Sequence, residues 1–445
     1  MSINKENTEL FNYYLQNTFF KSWRMLYEVG RVDDYLANYS QFELMVNNKC
    51  HLACKYCYMN KYGDQYFPKG TQSPSTILRN SKMLLEWFAE NRYAPALEIF
   101  AGDSVTDPVC RKIAHQVYDM ALDGKRAATN LMIPTNFSWI RFDKYVRDVE
   151  DIKEKSEYTG IPYSLSASID GKYMDECNRP LKSCNKAYDE EFYNKVFEFS
   201  AKHRCGFHPM VYSNNIERWI DNFLWFQDNF EKYGIGWKNL YLLEVRNVEW
   251  TEQQTIDYSK FIKFLIHWSY DKCDRDSTKF HDFIQNGRGF NILSSWSATI
   301  GRGVGCSIQS NICTRVGDLG IVPCHRLAYK YFDSGRFVVE NNKITGVEAD
   351  NLELWLMIQA YSSKVAGYCE KCRIKSVCHA GCLGAQYEIT GDMFAPIPTV
   401  CRLFHTKVYT IIETLKEIGE LELFLTRLNT VQEMALLEII ETMED

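Results

Sequence analysis

Three cysteines near the amino end, Cys50, Cys54 and Cys57, are spaced C-x3-C-x2-C, and four nearer the other end, Cys369, Cys372, Cys378 and Cys382, are spaced C-x2-C-x5-C-x3-C. At 16 cysteines in 445 residues, chance gives roughly 0.02 copies of the first pattern per chain and roughly 0.001 of the second. Neighbouring thiolates repel unless a metal neutralises them, so both blocks predict a soft metal or an iron–sulfur cluster. A structural zinc ribbon is the plain alternative for the four-cysteine block, because zinc takes four thiolates tetrahedrally. Three cysteines do not close such a site. A cubane cluster held by three thiolates leaves one iron open, and an open iron can bind a ligand.

Composition narrows the classes. Hydrophobic residues make up 46% and charged residues 24%, the balance of a globular protein with roughly three domains' worth of chain. Lys and Arg number 51 against 57 Asp and Glu, a formal charge of −6, so there is no basic surplus for a phosphate backbone and nucleic acid is excluded as the main partner. No apolar run approaches the ~18 to 20 residues that cross a bilayer. The start, Met1-Ser2-Ile3-Asn4-Lys5-Glu6, lacks the apolar core of a signal peptide, which predicts a cytoplasmic protein. Thiols stay reduced there, and the cysteines are therefore expected to serve metals or catalysis rather than disulfides.

The elements that must position these cysteines follow from periodicity. Over 41–272, short apolar runs alternate with amphipathic ones, predicting βα units, a parallel sheet and a partial barrel. Strands are expected at Gln41 to Asn47, Leu97 to Phe100, Asn130 to Pro134, Tyr163 to Ile169, Phe207 to Tyr212 and Tyr241 to Val245. Thr251-Glu252-Gln253-Gln254 reads as a capping box opening a helix to about Tyr270. Residues 1–40 read as a helical lead-in, 273–401 as a cysteine-punctuated region folded partly by its metals, and 402–445 as helical. Charged and polar residues inside a barrel strand should face the lumen. By that parity Ser164, Ser166, Ser168 and Asp170 share the inner face, as do Glu244 and Arg246, which are candidates for catalysis; the alternative for the last two is a self-satisfied structural ion pair.

Cys50-x3-Cys54-x2-Cys57, with Tyr56 before the last cysteine, resembles the signature of radical S-adenosylmethionine (SAM) enzymes, and the later cysteines resemble the SPASM extension that many of them carry. Together the two resemblances cover most of the chain. They imply an α/β fold: a partial (β/α)6 TIM-like barrel, then a cysteine-rich SPASM domain and C-terminal helices. The implied cofactors are SAM and three 4Fe-4S clusters. Cys50, Cys54 and Cys57 would hold the SAM-binding cluster, Cys306, Cys313, Cys324 and Cys382 one auxiliary cluster, and Cys369, Cys372, Cys378 and Cys401 the other. Cys110, Cys177, Cys184, Cys205 and Cys273 remain as buried or incidental thiols. One departure lies at Leu319, where the family usually has Gly five positions before the cysteine matching Cys324.

The same resemblance nominates residues around SAM. Ala101-Gly102-Asp103 stands where relatives carry Gly-Gly-Glu to hold the SAM amino group. Ser168-Ile169-Asp170-Gly171 is similar to the strand end that contacts the ribose. Arg179, in Asp175-x3-Arg179, is similar to a carboxylate partner with one residue inserted, and Asn136 in Pro134-Thr135-Asn136 lines the site. The implied reaction is one-electron cleavage of the sulfonium, giving methionine and a 5'-deoxyadenosyl radical that removes a substrate hydrogen. SPASM enzymes chiefly modify peptides and proteins, so the expected substrate is a ribosomally made precursor peptide, with cross-linking, epimerisation or backbone excision open. A separate leader-recognition protein and a flavodoxin- or ferredoxin-type reductant are the expected partners. Sulfatase maturases generally carry an Asp base just after the cysteine matching Cys324. Here His325 stands there, either as a base or as a hydrogen-bonded neighbour of the cluster. A maturase-like protein oxidase, a small-molecule radical SAM dehydrogenase and a non-enzymatic iron–sulfur or zinc protein are the alternatives.

Overall fold

The computed structural model describes residues 41–91, 95–182, 188–285, 290–294, 308, 311–351, 353–354, 357–358, 361, 367–378 and 381–444. The expected lead-in over 1–40, Cys184 and Cys306 lie outside the described residues. The chain divides into two units, one of Met1–Ile169, Asp175–Phe207 and Ser307–Ala360, the other of Asp170–Met174, His208–Cys306 and Tyr361–Asp445, as far as each range is described.

The first unit is built on strands β1 (Gln41–Met45), β2 (Ala96–Phe100), β3 (Asn130–Thr135), β4 (Tyr163–Ala167), β5 (Cys205–Phe207), β8 (Asn311–Arg315), β9 (Gly320–Val322), β10 (Gly335–Glu340) and β11 (Lys343–Ala349). They form one sheet in the order β11-β10-β9-β8-β1-β2-β3-β4-β5. β1 to β5 run parallel and β8 joins parallel on the far side of β1, while β9, β10 and β11 continue antiparallel. Helices α1 (Tyr58–Tyr66), α2 (Pro74–Glu90), α3 (Pro108–Leu122), α4 (Asp143–Thr159), α5 (Asp175–Asn178) and α6 (Glu190–Lys202) supply the crossovers. Two of them start by the same local device: Ser73 and Asp107 accept backbone N–H groups of the first turn, and a proline follows each at N1. β4 alternates fully buried Tyr163, Leu165 and Ala167 with half-buried Ser164 and Ser166, the two faces that the sequence parity predicts. β1 is buried over four of its five positions, as a parallel strand covered on both faces must be.

The second unit holds β6 (Met210–Val211) and β7 (Leu243–Glu244), paired parallel in a separate two-stranded sheet, and helices α7 (Trp219–Tyr233), α8 (Glu252–Lys272), α9 (Ser277–Gln285), α10 (Leu383–Thr390), α11 (Pro398–Glu417), α12 (Leu421–Thr426) and α13 (Thr430–Glu444). The capping box at Thr251 and Gln254 forms as expected and opens α8. The single strand expected from Phe207 to Tyr212 is instead two, because Pro209 has no N–H to give the ladder. The strand expected from Tyr241 to Val245 shrinks to β7, which joins β6 rather than the nine-stranded sheet. Among the described residues no helix is long and apolar enough to cross a membrane.

Leu319 ends the β8–β9 turn with φ of 58°. That left-handed conformation costs a β-carbon-bearing residue roughly 1–2 kcal/mol, which explains why glycine suits the place. Leu319 is buried, and burying a Leu side chain offsets the strain by about 1.5–3 kcal/mol.

Candidate active site

The cysteine loop leaves the C-terminal end of β1, where parallel α/β sheets place their sites. It is zipped against the end of α5 and the stretch that follows: Ala53 N donates to Pro180 O at 2.7 Å, Lys55 N to Asn178 O at 2.9 Å and Lys182 N to His51 O at 2.9 Å. Cys57 N donates back to Cys54 O at 3.1 Å, and Cys57 opens α1. Cys50, Cys54, Tyr56 and Cys57 are half-buried. The Cys50 sulfur accepts from Leu52 N and from Asn136 Nδ2, each at 3.4 Å. Burial, then the Asp103 carboxylate, push the Cys50 thiol up to about 11, and Cys57 adds to the shift. N–H donors aimed at sulfur favour the deprotonated ligand form that a cluster requires, and metal binding displaces the proton. The loop therefore fits an iron–sulfur group.

The ends of β2 and β3 meet beside Cys50. Asp103 is buried; its Oδ1 accepts from Thr106 N at 2.8 Å, and its Oδ2 from Thr135 Oγ1 at 3.0 Å and Asn136 N at 2.7 Å. Asp103 thus ties the two strand ends together. Gly102 N donates to Asn47 O at 3.1 Å, and a β-carbon on Gly102 would lie 2.3 Å from Lys49 O, so only glycine lets β2 pass this close to the cysteine loop. Ala101 is buried next to it. Ser168 N donates to Thr135 O at 2.8 Å, continuing the edge past Ser166, and both serines are half-buried. Arg179 is buried and close enough for its charge to act on Cys50. In the second unit Asp170 is fully buried and accepts from Met210 N at 2.9 Å, while its carbonyl takes Asn222 Nδ2 at 2.7 Å.

His325 has neighbours that sequence reasoning missed. Its Nδ1 lies 2.7 Å from Glu43 Oε2, and its ring stacks on Phe100 at 4.6 Å between centroids and on Tyr58 at 5.7 Å. Glu43 sits opposite Glu98 on β2 and Cys313 on β8. Burial opposes its ionisation, yet the His325 charge and hydrogen bond hold Glu43 below the usual carboxylate value and raise His325. Glu98, buried beside the charged Glu43, is pushed up to about 8. The signal for both acids was present: Glu43 lies between Phe42 and Leu44 and Glu98 between Leu97 and Ile99, the parity that selects lumen residues.

Of the remaining cysteines, Cys313 on β8 and Cys324 after β9 lie within electrostatic reach of one another. In the second unit Cys401, on α11, is pushed up to about 11 by burial and then by Cys369 and Cys372; Cys369, Cys378 and Cys401 all act on the buried phenol of Tyr361. Cys369, Cys372 and Cys401 thus lie within electrostatic reach of one another, and Cys378 within reach of Tyr361. His405 joins them, its Nε2 3.3 Å from Cys372 Sγ; the i, i+4 spacing of Cys401 and His405 on one helix was the available clue. Cys382 precedes α10. Among the described residues no three His, Cys, Asp or Glu side chains converge on one metal ion; a cubane spreads its ligands over four irons instead. Glu244 is fully buried and accepts from Tyr258 Oη at 2.7 Å and Lys407 Nζ at 2.6 Å, with Arg246 Nη2 at 3.8 Å. Against its burial, Lys407 and then Arg246 hold Glu244 down to about 2. It forms a buried ion pair, with Lys407 the close partner and Arg246 farther off.

No protein-family model matches the chain, and no curated protein matches it in sequence. Solved structures do. The anaerobic sulfatase maturase anSMEcpe with bound AdoMet superposes with a TM-score of 0.55 at 15% identity, covering 89% of this chain and 98% of that one. The same maturase with AdoMet and the Kp18Cys peptide gives 0.55 at 14% identity over 85% and 99%, and with the Cp18Cys peptide 0.52 at 16% identity over 85% and 99%. The chain has the fold of these maturases, and that fold matches the resemblance to radical SAM enzymes with a SPASM extension carried by its cysteines.

Proposed function

We propose that this chain is a radical SAM enzyme that modifies a peptide, and that its substrate is a ribosomally synthesised precursor. One observation carries the reading: the C-x3-C-x2-C loop stands at the C-terminal edge of β1 beside Asp103 and Asn136, in a fold shared with a maturase bound to AdoMet and peptide. Cys50, Cys54 and Cys57 would hold the cluster that, when bound, supplies the electron for reductive cleavage of SAM. Asp103, Asn136, Ser166, Ser168, Asp170 and Arg179 are the candidates for orienting SAM. Tyr56 and the Ala101-Gly102 backbone would close around it.

Two auxiliary clusters would take Cys306, Cys313, Cys324 and Cys382, and Cys369, Cys372, Cys378 and Cys401. His325, oriented through Nδ1 by Glu43, is the side chain proposed to accept a proton from substrate in its neutral form, because a carboxylate on one ring nitrogen raises the basicity of the other. A flavodoxin- or ferredoxin-type protein would supply electrons, and a separate protein would recognise the peptide leader. Anaerobic reconstitution with iron, sulfide, SAM and reductant tests the first step: 5'-deoxyadenosine should form and Cys54→Ala should abolish it. Full cleavage by that variant refutes the assignment. Mass spectrometry of a co-expressed short peptide encoded beside the enzyme tests the second; an unchanged peptide mass in the presence of SAM turnover argues for a small-molecule substrate.

A further inference from the structure

Asn136 is held by three different groups. Its backbone N donates to Asp103 Oδ2 at 2.7 Å, its side-chain Oδ1 accepts from Ser138 N at 2.9 Å, and its Nδ2 donates to Cys50 Sγ at 3.4 Å. The Ser138 contact settles which end of the amide is which, since only oxygen can accept from that N–H. The nitrogen must then face the sulfur. Phe137, next in the chain, adopts φ of 59° and is fully buried, so the turn that presents Asn136 is kept in a strained conformation by packing. Asp103 is itself fixed by Thr106 N and Thr135 Oγ1. A carboxylate, two strand ends and a left-handed turn converge on one amide aimed at one thiol.

We infer that Asn136 is a positioning and tuning residue for the cluster on Cys50, its N–H group stabilising the more negative, reduced state, and that Asp103 locks it in place. This deepens the proposed function and rests on it. A hydrogen bond to a cluster sulfur counts more in the reduced form, which carries the greater negative charge on its ligands, and it raises the reduction potential. Leu52 N is a second donor to the same sulfur; being backbone, it is retained in side-chain variants.

The test is an EPR-monitored redox titration of the reconstituted protein without SAM, for wild type, Asn136→Ala, Asn136→Asp and Asn136→Gln. The alanine variant should hold about tenfold less reduced cluster at a fixed potential, a fall in midpoint of about 59 mV for a one-electron couple. The nearly isosteric aspartate variant should fall at least as far, and glutamine, which keeps an N–H donor, should recover part of the loss. In the reduced wild-type cluster an exchangeable proton coupled to the electron spin should be seen by ENDOR and be absent from the aspartate variant. Loaded variants that titrate at the wild-type midpoint and keep that proton overturn the inference and leave the proposed function standing. A wild type that binds no 4Fe-4S cluster at Cys50, Cys54 and Cys57 overturns both.

Discussion

Replacing Glu98 by glutamine should stabilise the protein, and increasingly so as pH rises. The Glu98 carboxyl is buried between β1 and β3 and lies beside the charged Glu43, and its value rises from 4.5 to about 8. Between those two values the folded protein retains a proton that the unfolded chain releases, so folding stability falls as pH climbs through this window. Each pH unit is worth about 1.36 kcal/mol, giving an upper bound of roughly 3 kcal/mol at pH 7 and roughly 5 kcal/mol at pH 8. Structural relaxation and the coupling to His325 reduce this, and we expect a gain of about 2 kcal/mol for Glu98→Gln at pH 8. The amide oxygen of glutamine can still accept from Gln41 Nε2, which now donates to Glu98 Oε2 at 2.9 Å. Urea unfolding of wild type and variant across pH 5 to 8, with anaerobic samples, measures the difference. A gain independent of pH, or a loss at pH 8, refutes the reasoning.

Three more outcomes follow from contacts above. Gly102→Ala should cost about 1–3 kcal/mol and loosen the cysteine loop, because its β-carbon would meet Lys49 O at 2.3 Å; urea unfolding and the iron content of reconstituted protein report both effects. Lys407→Met removes the close partner of buried Glu244 and should cost about 3–5 kcal/mol at neutral pH. Because Glu244 is held down to about 2, the stability it contributes is present above about 4.5 and fades as pH falls toward 2, so the deficit of the variant should shrink on acidification. Cys378→Ala should lose auxiliary iron while keeping the cluster at Cys50, Cys54 and Cys57; unchanged iron by metal analysis would indicate that no such auxiliary centre forms.

Much of the fold was legible because the signals are local. The period-2 alternation of β4 and the Thr251 capping box come from residues within a few positions of one another. The reading failed where a backbone detail broke a run, as Pro209 does between β5 and β6. Within the site, the strand ends carrying Asp103 and Asn136 follow from β2 and β3, and the nine-stranded sheet brings them beside Cys50. The clamp of Pro180 and Asn178 on the cysteine loop has no signature, since it consists of backbone hydrogen bonds any residue can make.

The sequence by itself determined which chemistry is available: three thiols within eight residues, Cys50 to Cys57, stand close enough to share one metal centre, because the loop that carries them is too short to hold them far apart. Only the tertiary structure decided which distant side chains meet. Glu43 and His325 are 282 positions apart, Glu244 and Lys407 163, and Cys50 and Asn136 86. A hydrogen bond depends on distances of a few tenths of an ångström, which sheet register and helix packing set and which no local spacing encodes.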